Sequence, residues 1–275
     1  MPTLRRLLLP LLLLCLAVAL PVSGHAQLQP VAGISVDVAP PPLPVYAEPP
    51  LPDDGYIFIP GYWAWTQSGY YWVPGTWVEP PSPGLLWTPG YWAFVDGQYV
   101  WYAGYWGPSV GFYGGVDYGF GYYGTGYDGG YWDGGIFFYN SAVHNFGRVH
   151  VAHAYRKTIP ATRSTRNTRV SFTGSPRGTA ATPRPEEDNA ARETHAPPVD
   201  LQVQHETGAA ALHSAPLSVN RGRPPVAATS RPATFTGPGV VAARRAAPAP
   251  APRPAPAARP PSAPAPAGHG EPEHH

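Results

Sequence analysis

Cysteine is almost absent from the chain. The single cysteine among 275 residues, Cys15, lies inside an apolar N-terminal segment that we expect to be removed on export. A mature chain without cysteine has no disulfides, no thiol catalysis and no cysteine-ligated metal.

Long hydrophobic runs are also missing. The longest apolar stretch, "LLLPLLLLCLAVAL" from Leu7 to Leu20, is shorter than the roughly 20 residues that a membrane-spanning helix needs. Two arginines precede it, and "GHA" at residues 24–26 places small residues before Gln27. This pattern predicts a signal peptide over residues 1–26 and no integral transmembrane segment. We therefore expect a periplasmic or outer-membrane-associated bacterial protein.

Basic residues are absent from residues 27–147, which contain nine acidic side chains and no lysine or arginine. From residue 148 onward there are sixteen basic and eight acidic residues. In an exported protein, such a basic region favours anionic lipid, lipopolysaccharide or acidic glycan as a partner, rather than nucleic acid. The alternative is that arginine only keeps a tail solvated. The candidate contacts to an anionic surface are Arg148, Arg156, Lys157, Arg163, Arg166 and Arg169.

Aromatic residues are nearly missing beyond Tyr155, where only Phe172 and Phe235 remain. A segment rich in Ala, Pro, Arg, Thr and Ser cannot bury enough apolar surface to offset the entropy of ordering. We therefore predict that residues 156–275 form a disordered tail. The proline run within residues 27–54 predicts an extended linker.

Tryptophan and tyrosine are instead concentrated in residues 55–155, and this range contains four related units. The units are "FIPGYW" (58–63), "WVPGTW" (72–77), "WTPGYW" (87–92) and "WYAGYW" (101–106). Turn-forming sequences separate them, and Pro-Gly pairs argue against helix. The spacing predicts an all-β domain, an antiparallel meander of four repeat units with further strands after them.

Each unit places two aromatic residues five positions apart, which in a regular strand would point to opposite faces. We predict a β-bulge at each Pro-Gly step that turns both rings to one side, with glycine supplying unusual backbone angles. The predicted bulge glycines are Gly61, Gly75, Gly90 and Gly104. The aromatic residues are Phe58, Trp63, Trp72, Trp77, Trp87, Trp92, Trp101 and Trp106, which would form either a core or a stacking surface.

These units resemble the YXWGXW, or WxxGxW, repeat proteins of bacteria. The resemblance extends over about residues 40–140, and Phe58 and Ala103 are its minor departures. It implies an exported envelope protein, and it transfers no catalytic or ligand-binding residues.

Catalytic motifs are scarce along the chain. There is no nucleophile elbow, phosphate-binding loop or dinucleotide-binding fingerprint. We expect no enzyme activity, no cofactor and no metal. The expected role is structural or interactive within the cell envelope. The alternative is a carbohydrate- or cell-wall-binding module that uses exposed Trp and Tyr rings.

Overall fold

The computed structural model describes residues 34–160, 169–175 and 177–245. The predicted signal peptide, Arg163, Arg166 and the tail beyond residue 245 lie outside the described residues.

Strands dominate and helices are few, so the predicted all-β class is confirmed. The strands are β1 Ser35–Val36, β2 Ile57–Ile59, β3 Tyr62–Thr66, β4 Gly69–Val73, β5 Gly75–Val78, β6 Leu86–Thr88, β7 Tyr91–Val95, β8 Gln98–Tyr102, β9 Tyr105–Gly107, β10 Asp117–Gly119, β11 Tyr122–Tyr123, β12 Gly130–Asp133, β13 Ile136–Asn140, β14 Ala154–Tyr155, β15 Phe172–Thr173, β16 Ala228–Thr229 and β17 Val240–Val241. The helices are α1 Pro185–Ala190, α2 Asp200–Ala210 and α3 Leu217–Asn220.

The four repeat units form two long antiparallel hairpins. In the first hairpin, residues 57–78, β3 pairs with β4 near the tip and β2 pairs with β5 near the base. In the second hairpin, residues 86–107, β7 pairs with β8 and β6 pairs with β9 in the same way. The two hairpins share no sheet, so the repeats do not form one continuous meander.

Each hairpin is interrupted halfway along both of its strands. In the first hairpin, Ile59 pairs with Thr76 and Tyr62 pairs with Val73, so two residues separate the paired segments on each strand. Because the gap is equal on both strands, the register does not shift and there is no β-bulge at this step. The predicted bulges are therefore wrong. The Pro-Gly steps of the two strands lie opposite each other and form one symmetrical kink.

Chain segments outside the repeats extend the sheets of both hairpins. In the second hairpin, β1 pairs with β8 and β15 pairs with β7. In the first, β16 pairs with β5 and β17 continues the sheet. These additions cover hairpin edges that would otherwise expose unpaired backbone groups.

The structure differs from the disorder predicted for the tail over residues 169–175 and 177–245. This region packs on the hairpins with small side chains rather than with a core of its own. Ala209 and Ala215, for example, are buried against Tyr71 and Val73 of the first hairpin. The prediction failed here because composition measures only what a segment can bury by itself.

The proline-rich segment is also packed, in contrast with the predicted linker. Leu43 and Leu51 are buried in the main core, and Tyr46 lies against it. The Tyr46 hydroxyl accepts a hydrogen bond from the backbone N–H of Gly61 at 2.9 Å, which fixes the segment over the kink of the first hairpin.

Helix α2 is attached to the other side of that kink by His205. The side chain of His205 is buried, and its Nε2 donates to the carbonyl oxygen of Pro74 at 2.9 Å. Its Nδ1 accepts from the N–H of Ala233 at 2.8 Å. The imidazole is therefore neutral, and burial lowers the pKa of His205 to about 4.

Acidification should weaken the fold through His205. Between pH 6.5 and 4 the unfolded chain takes up a proton that the folded chain does not, so stability falls as the pH is lowered. We expect this group to remove about 2 kcal/mol of the free energy of unfolding between pH 7.5 and pH 5. Urea unfolding at both pH values measures the loss. His205→Gln should make this loss smaller, whereas His213→Gln, at an exposed position, should leave it unchanged. Equal pH dependence in the unaltered protein and in both variants would contradict the prediction.

Candidate functional site

The repeat aromatics form the interior of the domain. They face each other across the strands of each hairpin, with ring centroids 5.1 to 5.3 Å apart. The pairs are Phe58–Trp77 and Trp63–Trp72 in the first hairpin, and Trp87–Trp106 and Trp92–Trp101 in the second. Seven of the eight side chains are buried, Trp101 is partly buried, and all belong to one hydrophobic cluster. Their role is therefore packing.

The repeat glycines provide space for these rings. A Cβ on Gly61 would collide with the indole of Trp72, and one on Gly104 would collide with the indole of Trp87. Each hairpin contains two units, and the first aromatic residue of one unit covers the glycine of the other. None of the four repeat glycines has a positive φ, so the predicted need for unusual backbone angles is wrong.

The indole N–H groups connect the hairpins to the segments around them. Trp63 and Trp77 donate to the carbonyls of Pro42 and Pro49 in the proline-rich segment, at 3.3 and 3.0 Å. Further bonds run from Trp72 to the Ala227 carbonyl at 3.0 Å and from Trp106 to the Gln202 side chain at 2.8 Å. The Trp92 indole joins the two hairpins by donating to the Trp63 carbonyl at 2.8 Å. The tryptophan rings thus fill the core, and their indole N–H groups hold neighbouring segments against it.

A profile of the WXXGXW repeat matches residues 54–78 and 83–106. The chain carries two WXXGXW repeats. Each matched copy spans one kinked hairpin, and each contains two of the four sequence units. The structural reason is that a WXXGXW unit cannot pack alone, because its glycine receives a ring from the opposite strand. The resemblance stated from the sequence is confirmed over these residues.

No curated protein and no solved structure matches the chain. A candidate site therefore has to be found from the geometry of this chain. Since most of the WXXGXW ring surface is used in packing, exposed rings and charges elsewhere offer more surface to a partner.

An exposed aromatic surface lies outside the WXXGXW hairpins, on the small sheet of β12, β13 and β14. Tyr131 of β12 is 46% exposed and stacks on Phe138 of β13, with centroids 5.2 Å apart and planes 6° from parallel. Tyr155 of β14 lies 5.3 Å from Tyr131, and His153 lies 5.1 Å from Phe138. We call these four residues the outer aromatic face.

Three of the predicted cations lie near this face in the sequence. Arg156 and Lys157 directly follow β14, Arg148 precedes it by a few residues, and all three are exposed. The Lys157 ammonium lies 3.5 Å from Asp128 and remains 65% exposed. Rings that can stack on a sugar ring or acyl chain thus adjoin cations that attract phosphate or carboxylate groups.

Arg169 does not belong to this face. Its Nε donates to the Leu43 carbonyl at 2.7 Å, and its own carbonyl accepts from the Leu43 N–H at 2.8 Å. Arg169 thus binds the proline-rich segment through two hydrogen bonds to Leu43, in contrast with the surface role predicted for it.

A buried polar cluster lies between the proline-rich segment and residues 127–145. The Nδ1 of His144 is 2.8 Å from Glu48, and its Nε2 is 3.1 Å from the Tyr127 hydroxyl. A proton on Nδ1 satisfies the contact to Glu48, and Nε2 can accept from Tyr127, because burial raises the pKa of Tyr127 and keeps its hydroxyl protonated. The His144 side chain is fully buried, so the cluster cannot meet a substrate and its role is structural.

Residues 34–160, 169–175 and 177–245 contain no group of three or more His, Cys, Asp or Glu side chains placed to hold a metal ion. No helix in those ranges has the length and apolar character needed to cross a membrane.

The sequence analysis missed the outer aromatic face, although a local signal was present. In "GYWDGGIFFYN" the two glycines at 134 and 135 both have positive φ, as a two-residue hairpin turn requires. That turn places Tyr131 opposite Phe138 on one side and Trp132 opposite Phe137 on the other. Phe137 is buried, so the first pair faces outward.

Proposed function

We propose that the chain is a non-enzymatic, exported protein of the bacterial cell envelope with a structural or interaction role. The N-terminal pattern of two arginines followed by a short apolar run supports export. The observation that carries the interaction role is the outer aromatic face beside exposed cations, on a domain whose repeat tryptophans are used for packing.

We propose that this face contacts an anionic component of the envelope, either anionic lipid or lipopolysaccharide. Attraction to Arg148, Arg156 and Lys157 would bring the surface close, and the rings would then contact sugar or acyl groups. The acidic composition of residues 27–147 would disfavour binding through the hairpins.

The alternative is a carbohydrate- or cell-wall-binding module. The repeat tryptophans argue against it because they are buried, but Tyr131, Phe138 and Tyr155 offer rings that are at least partly exposed. Stacking on a neutral sugar depends little on salt, whereas contact with an anionic surface weakens as salt is added.

Neutralising the three cations should weaken binding to anionic membranes. We expect the variant Arg148→Gln, Arg156→Gln and Lys157→Gln to bind at least about tenfold less to phosphatidylethanolamine vesicles that contain phosphatidylglycerol, since each surface cation contributes about 1 kcal/mol. Co-sedimentation of the full chain at low and high salt measures the effect, and lipopolysaccharide is tested in the same way.

A variant with the same charge loss elsewhere provides the control. It carries the exposed substitutions Arg177→Gln, Arg192→Gln and Arg231→Gln. If both triple variants lose binding equally, net charge rather than this face is responsible. Salt-independent binding to cell-wall glycan that is lost on Tyr131→Ala would favour the alternative. No binding to any of these components would refute the proposed interaction.

A further inference from the structure

A cavity of about 110 Å³ lies where the kinks of the two hairpins meet helix α2. Pro60 and Pro74 line it from the first hairpin, Pro89 and Ala103 from the second. Val203 of α2 also lines it and is 53% exposed, so the cavity opens to solvent beside this residue. The volume is of the same order as the ~150 Å³ cavity of an engineered protein that accepts benzene.

Aromatic rings form much of the wall. Tyr62 of the first hairpin stacks on Trp101 of the second, with centroids 5.1 Å apart and planes 17° from parallel. Trp87 and Tyr118 complete this part of the lining. The Tyr118 hydroxyl donates to the Gly90 carbonyl at 2.6 Å, so this ring presents carbon atoms rather than a free polar group.

One carboxylate, that of Glu206, is found in this aromatic lining. It accepts a hydrogen bond from the Tyr71 hydroxyl at 3.5 Å. Burial and the negative charge of Glu206 raise the pKa of Tyr62. Burial also raises the pKa of Tyr71, so both phenols remain neutral beside the carboxylate.

No lysine or arginine lines the cavity, and within the described ranges no salt bridge involves Glu206. A carboxylate that faces aromatic rings without a counter-ion favours a positively charged guest. An inorganic cation would need several oxygen ligands. The lining supplies one carboxylate, and its other polar side chains, those of Thr76, Gln202 and His205, already take part in hydrogen bonds. A neutral apolar guest would leave the charge uncompensated.

We propose that this cavity binds a small organic ammonium ion. The positive charge of the guest lies beside Glu206, and its alkyl groups contact the parts of Tyr62, Trp87 and Trp101 that line the cavity. This site is separate from the outer aromatic face, and the proposal does not depend on the proposed envelope function.

Calorimetric titration of the full chain with choline chloride tests the proposal, against sodium chloride at equal ionic strength. We expect saturable binding at one site. The neutral isostere of choline, in which carbon replaces the nitrogen, should bind at least tenfold more weakly because it lacks the charge. This comparison uses the unaltered protein and therefore does not depend on the folding of a variant. Absence of saturable choline binding, or equal binding of the isostere, would overturn the proposal.

Two variants locate the site. Glu206→Gln keeps the shape of the side chain, and we expect at least a tenfold loss of choline affinity. Asp200→Asn removes the same charge from an exposed position on the same helix and should change the affinity less than twofold. Equal losses in both variants would show that the attraction is general rather than local.

Discussion

Replacing Gly61 with alanine is expected to lower the free energy of unfolding by about 3 kcal/mol, at the upper end of typical overpacking costs. The added Cβ would collide with the Trp72 indole and would lie 2.8 Å from both the Gly75 nitrogen and the Val73 carbonyl oxygen. Two of these three neighbours are backbone atoms of the opposite strand, so no side-chain rotation relieves the contact. Urea unfolding followed by tryptophan fluorescence measures the loss.

Gly107→Ala provides a matched control at the base of the second hairpin. Its Cβ would meet nothing closer than His195 Cδ2 at 3.3 Å, and no backbone atom closer than the Ser109 oxygen at 3.4 Å. We expect a change within about 1 kcal/mol. If the two alanine variants were equally stable, the close approach of ring to glycine would not explain the WXXGXW pattern.

The second large effect is expected from His144→Ala, which should cost about 3–5 kcal/mol because a buried carboxylate loses a hydrogen-bond donor and a cavity is left. The substitution removes the imidazole from the Glu48 carboxylate, whose side chain is only 4% exposed, and leaves a cavity beside Trp77. Glu48 would retain the Asn145 N–H at 2.7 Å but would lose its other partner. Chemical denaturation at neutral pH measures the cost.

A second substitution separates two contributions to this loss of stability, the missing hydrogen-bond partner of Glu48 and the cavity. Adding Glu48→Gln to His144→Ala removes the buried charge, so the double variant should lose less than the sum of the two single variants. His153→Ala, on the outer aromatic face, should change stability by less than about 1 kcal/mol. Additive losses, or equal losses at His144 and His153, would contradict the role of the buried pair.

The hairpins were predictable because their signals are local. Aromatic and β-branched residues on either side of short turns such as Asp96–Gly97, where both residues have positive φ, specify strand pairing within about twenty residues. The kinks were placed correctly at the Pro-Gly steps. Their predicted form was wrong because a bulge lies within one strand, whereas Gly61 and Trp72, which meet at the kink, belong to opposite strands.

The cavity beside Glu206 could not be predicted. It requires helix α2, which lies in a segment whose composition indicates disorder, and it requires two hairpins that share no sheet to meet at their kinks. Helix α2 is held there by His205 and Gln202, through contacts to Pro74 and Trp106. These partners are separated by about a hundred residues or more, and nothing in either local sequence indicates the other.

The sequence by itself determined that tryptophan, glycine and proline would recur at strand spacing and that the resulting layer would be β-structure rich in rings. Only the tertiary structure decided that those rings face inward and that the proline-rich and alanine-rich segments cover them. The physical reason is that strand pairing and turns are set by neighbouring residues. Burial depends instead on which distant segment satisfies an indole N–H or covers a hairpin edge.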